Sequence, residues 1–158
     1  MIFTESSLYE VAGNLNVPHI KTIIKQAGVI SVLRITAYYP ERHARHSVAT
    51  LTEQQRNQYT MEIVHEGFYG HRPMTLSVSD ENYNNLLDVL IQCRFKKLPH
   101  QDDISYNDRS LWLIQQAYGT FLHNVIVAPD RPSHPYSTIV NAIDDYIHEA
   151  IREIPFDN

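Results

Sequence analysis

Residues 59–67, YTMEIVHEG, and 74–79, MTLSVS, alternate apolar and polar side chains with only six residues between them. Tyr59, Met61 and Ile63 are set against Thr60 and Glu62, and Met74, Leu76 and Val78 against Thr75, Ser77 and Ser79. A period of two sends successive side chains to opposite faces of a strand. A parallel crossover needs a dozen or more residues, so so short a link makes these strands antiparallel. The alternation predicts a sheet with one covered and one wet face.

The rest of the chain extends this pattern. VISVLRITAYY (29–39) is β-branched and aromatic and puts Leu33, Ile35, Ala37 and Tyr39 on one face. YYPERHARHSVATLTEQQRNQY (38–59) reads as a long mobile loop between the first and second strands, with single-stranded nucleic acid as an alternative use of its arginines, histidines and tyrosines. In SLWLIQQAYGTFLHNVIVAPD (110–130) two strand-like runs flank Ala-Tyr-Gly-Thr, a hairpin with Gly119 at the turn. Trp112 falls in the first of these runs as a core residue.

Helical spacing appears at Leu8, Val11, Ala12, Leu15 and again at Ile20, Ile23, Ile24, Ala27, with Gly28 as the stop. Ser79 is placed to cap a helix carrying Tyr83, Leu86, Leu87, Leu90 and Cys93. The strongest period runs through Tyr136, Ile139, Val140, Ile143, Tyr146, Ile147, Ala150, Ile151 and Ile154, one continuous terminal helix. The reading is α+β: a mainly antiparallel sheet of about five strands packed by helices, in a single domain 1–158. Within it, 1–28 form a helical N-terminal subregion and 29–158 the α+β core.

Charge is uneven. Residues 1–28 balance two acids with two lysines, 29–79 carry five arginines and four glutamates, and 80–158 carry twelve acids and six bases. An acidic half repels phosphate backbones and suits a basic protein partner. No run approaches the roughly 18 apolar residues of a membrane span. MIFTESSLYE lacks the basic-then-apolar order of a secretory leader, and the single Cys93 fits a reducing compartment, so a cytoplasmic location is expected.

SLYEVAGNLNVPHIKTIIKQAG (7–28) has the layout of a helix-turn-helix, with Lys21, Lys25 and Gln26 as reading residues, and gives a small DNA-binding regulator as the second functional reading. His43 and His46 have a helical i, i+3 spacing without a completing ligand, and HEAIR (148–152) has arginine where a zinc-protease motif needs histidine, so no metal is expected. Cys93 lies on an apolar stripe and reads as packing. No phosphate-binding loop, dinucleotide fingerprint or nucleophile elbow occurs, so no cofactor is expected and the chain reads as a non-enzyme; an enzyme with an unrecognised site is the third reading. The carboxylate pairs Asp102/Asp103 and Asp144/Asp145 are sequence neighbours on polar stretches.

The stretch from SVSDENYNNLLDVL (77–90), through NDRSLWLIQQAYGTFLHNVIVAPD, to DDYIHEAI (144–151) resembles small cytosolic immunity proteins of bacterial interbacterial toxin systems. It covers about half the chain. The resemblance implies a non-enzymatic protein that blocks one cognate toxin through an acidic face. On the charge pattern, the residues expected to meet a basic partner are Asp102, Asp103, Asp145 and Glu149.

Overall fold

A computed structural model describes residues 5–55, 57–102, 104–105 and 107–156. The chain is α+β, as its patterning predicts, with helices on both faces of one six-stranded antiparallel sheet. The strands are β1 (Val29–Tyr38), β2 (Ser47–Gln54), β3 (Gln58–His65), β4 (Met74–Ser77), β5 (Leu111–Tyr118) and β6 (Phe121–Val127). They lie in the order β4-β3-β2-β1-β5-β6. The first four form a meander. Helix α3 (Asp80–Gln92) then carries the chain from the β4 edge back to β5, which pairs with β1, and β6 closes the far side.

The additional strand is β2, in the stretch expected to be a mobile loop. It pairs Ala49 with Ile35 on one side and with Ile63 on the other, so it is central. Ser47 to Leu51 are all buried. A strand covered on both faces shows no alternation, and this short run is hidden among Arg, His and Gln.

The expected wet face is also corrected. Leu33, Ile35, Ala37, Leu51, Trp112, Ile114 and Val127 face α3 and α4 (Tyr136–Tyr146) in the main core. The opposite face is covered by α1 (Glu5–Asn14), α2 (Ile20–Ile24) and the turn between them, which bury Leu8, Val11, Leu15 and Ile20 against Val32, Val48, Val64, Leu113, Ala117 and Ile126. The helical N-terminal pair is thus the second cover of the sheet. Only towards β4, where Glu62, Thr75 and Ser77 are exposed, does the alternation mark solvent.

Two helices end earlier than their apolar periods predict. Helix α2 stops at Ile24 because the chain must turn into β1, through successive turns that join Gln26 N–H to Ile23 O and Val29 N–H to Gln26 O. Helix α4 stops at Tyr146. Ile147 leaves the helical region (φ −137°, ψ 48°) and a 3-10 turn, His148–Ile151, follows. The three-residue repeat of that turn directs both Ile147 and Ala150 into the core. Ser79 caps α3 as expected, its Oγ accepting from Asn82 N–H at 3.1 Å, and Gly119 takes the positive φ of the β5–β6 turn.

The sheet's two edges differ. The outer side of β6 is engaged by the segment after α3: Gln101 N–H donates to Ile126 O, Ile126 N–H to His100 Nδ1 and Ala128 N–H to Gln101 Oε1. Among the described residues no strand lies beyond β4.

Candidate functional site

Among the described residues, no three His, Cys, Asp or Glu side chains converge as a metal-binding set. Among those residues, too, no helix is long and apolar enough to cross a membrane.

Two of the acids singled out in the sequence meet at one groove. Asp145, at the end of α4, and Glu149, in the 3-10 turn, line a depression of about 480 Å³ between that turn, β4 and the start of α3. Met61, Leu76, Val78, Tyr146 and Ile147 supply its apolar walls, and Ser77, Ser79 and Asn82 its hydroxyl and amide groups. The early end of α4 produces this geometry, because the turn at Ile147 brings Glu149 round to the side of Asp145. Arg152 Nη1 lies 3.7 Å from Glu149 Oε2, an exposed pair, and the neighbouring Asp144 is held by His148 Nδ1 at 2.6 Å. Asp145 has no such partner among the described residues.

Asp102 lies elsewhere. It is exposed in the loop after Gln101, close to Tyr136, at the opposite end of α4. The burial of Tyr136 and the charge of Asp102 together push that phenol upward, and its hydroxyl donates to Pro99 O at 2.6 Å. Eleven residues of α4 span about 15 Å, beyond a Debye length of about 8 Å at physiological salt. Asp102 and the Asp145/Glu149 pair therefore form separate acidic patches. Asp103 lies outside the described residues.

The arginine–histidine segment is folded onto its own chain. Ring stacking joins Tyr38 to His46 at 4.4 Å. Arg42 donates to Glu66 at 2.6 Å and Arg45 Nη1 to the Glu66 carbonyl at 2.9 Å. Both guanidiniums lie over the Phe156 ring, 5.0 and 4.8 Å from its centroid. Gly67 permits this approach: its φ is +63°, and a Cβ there would stand 2.9 Å from Arg45 Nη1. Arg42 and Arg45, two of the cations that suggested single-stranded nucleic acid, are thus engaged with Glu66 and Phe156, and Arg56 lies outside the described residues. His43 meets Tyr39 edge-on and Glu153 at 3.5 Å, while His46 contacts Arg42, so the two histidines do not form a ligand pair.

Sequence reasoning missed a serine–histidine juxtaposition. Ser47 and His65 are direct partners across β2 and β3 on the face under α3 and α4. Both are closed to solvent, at 0% and 4% exposure, and neither side chain has a hydrogen-bond partner among the described residues. A buried pair offers a substrate no approach in this state. The DNA-reading segment fares similarly. Lys21 and Lys25 are exposed, but α2 makes only about one and a half turns, too little to present a reading surface along a major groove. Cys93 Sγ donates to Pro135 O at 3.9 Å, and burial pushes its thiol upward, away from the reactive thiolate.

No family model matches the chain. A search of curated proteins likewise finds no similar sequence. The functional reading rests on the chain's own chemistry.

Proposed function

We propose that the chain is a non-enzymatic binding protein that neutralises one basic protein partner, most concretely an immunity protein that occludes a bacterial toxin. The observation that carries this reading is the groove in which Asp145 and Glu149 border an apolar floor. Its occupant is a segment of the partner that sets a lysine or arginine against the two carboxylates and an aliphatic or aromatic side chain between Met61, Leu76 and Tyr146. Charge complementarity argues for that chemistry, since the half of the chain that builds most of the groove carries twice as many acids as bases. Rim carboxylates mainly raise the association rate, whereas the apolar seat sets residence time. The reading is tested with the partner captured from the native host. Asp145→Asn with Glu149→Gln should slow association several-fold and flatten its salt dependence, while Asp102→Asn leaves both unchanged. An association rate in the double variant equal to that of the wild type refutes the assignment.

A further inference from the structure

The cavity beneath α1 and α2 has a volume of about 280 Å³ and apolar walls formed by Leu8, Ala12, Val17, Ile20 and Leu113. Its floor is the N-terminal-helix side of β1 and β5, where Arg34 and Gln115 stand opposite each other and Thr36 lies two residues along the strand. Arg34 is only 2% exposed. Its Nε donates to Thr50 Oγ1 at 3.0 Å and its Nη2 to Pro18 O at 2.8 Å, and both acceptors are uncharged. Among the described residues no carboxylate pairs with it.

Burial lowers the Arg34 pKa to about 10, so the guanidinium is still charged at neutral pH. It presents five N–H donors, and the two bonds above leave three for another acceptor. A charge taken out of water without a counter-charge is strongly unfavourable. Tying the Pro18 corner to the sheet does not require it, since a neutral donor would serve. Arg34 lines a cavity large enough to hold such a counter-charge.

We propose that this cavity binds a small apolar monocarboxylate, its carboxylate on Arg34 and its body among Leu8, Ala12, Ile20 and Leu113. Arg34 is the one arginine or lysine of the lining, and His19 there accepts the Lys21 N–H on its Nδ1, so one negative charge is matched and a phosphate dianion would leave excess charge among aliphatic walls. Thr36 and Gln115 add a hydroxyl and an amide beside the carboxylate. A cavity of about 150 Å³ holds benzene, so the larger space here takes a ring or a short chain together with its carboxylate. Tyr9 and Gly13, both exposed on α1, form the rim through which it enters. The site lies on the opposite face of the sheet from the Asp145/Glu149 groove and does not depend on it.

The test is a methyl NMR titration of the full chain with octanoate, octan-1-ol and octylamine, three probes of one length. Octanoate should shift the Leu8, Ile20 and Leu113 methyls and bind at least tenfold more tightly than octan-1-ol, with octylamine producing no saturable shift. Arg34→Met should abolish the preference for octanoate over the alcohol. Ala12→Phe keeps the guanidinium and fills the cavity, so it should lose both ligands; this variant and the probe comparison decide the matter even if Arg34→Met does not fold. The proposal is overturned if octanoate fails to bind at millimolar concentration, or binds no better than the alcohol. Shifts confined to methyls outside this cavity, or retained binding in Ala12→Phe, overturn it equally.

Discussion

Acidifying the protein from about pH 7 to about pH 5 should destabilise it through His46. Its Nδ1 faces the Tyr39 N–H at 3.2 Å and its Nε2 faces Arg42 Nη1 at 2.5 Å, so both ring nitrogens look at donors. An imidazolium, carrying N–H at both positions, is opposed on each side. Burial and then Arg42 lower its pKa to about 4, against a smaller opposing pull from Glu66. A histidine depressed in the folded state binds its proton preferentially when unfolded. Its stabilising contribution is therefore whole above the unfolded value of about 6.5 and is lost as pH falls from there towards about 4. The unscreened loss by pH 5 is about 2 kcal/mol, and partial solvent exposure reduces it to about 1 kcal/mol. Urea unfolding of the wild type and of His46→Phe at the two pH values measures it. Phenylalanine keeps the planar stack on Tyr38 and cannot titrate, so the pH-dependent drop should shrink by about 1 kcal/mol. The remainder belongs in part to His65, which is depressed by burial and by Arg152 and Arg45, with Glu149 opposing. An identical drop in both proteins refutes the argument.

Adjacent residues of α3 should behave oppositely. Leu90→Ala, at a 2% exposed position, is expected to cost about 2–5 kcal/mol, whereas Ile91→Ala, 63% exposed, should stay within about 0.5 kcal/mol in thermal or urea unfolding. Burial opposes ionisation of Asp108, but Arg131 at 2.5 and 2.9 Å and the Ser105 N–H at 2.8 Å outweigh it and hold the carboxyl below its usual range. Asp108→Asn should therefore cost about 1–3 kcal/mol at neutral pH. The difference from wild type should narrow as pH falls through the depressed carboxyl range, as read by chemical denaturation.

Elements with a local cause were legible in the sequence. The Ser79 cap, the Gly119 turn and the apolar stripes of α3 and the first part of α4 each depend on residues within a few positions of one another. What escaped depends on remote coverage. Strand β2 is built from Val48, Ala49 and Leu51, apolar residues that alternate with nothing because both faces are buried. Arg34 drew no attention in the sequence, since nothing near it says that α1 and α2 lie over its face of β1. Asp145 and Glu149 were legible as acids near the end of an amphipathic helix. The groove between them and β4 was not, because it follows from the break at Ile147 and from a strand some seventy residues earlier.

The contrast between the sheet's edges limits how copies of this chain associate. Edge-to-edge strand pairing propagates only when a molecule offers two free edges, one to receive and one to extend. At β6 the Gln101 N–H already occupies the Ile126 carbonyl and His100 takes the Ile126 N–H, so an incoming strand must first displace its own chain's segment. Among the described residues, pairing through β4 uses the edge that no other segment covers and leaves only the partly engaged β6 edge. Contact through two β4 edges relates two molecules by a two-fold axis. Filament growth needs that displacement at every added subunit.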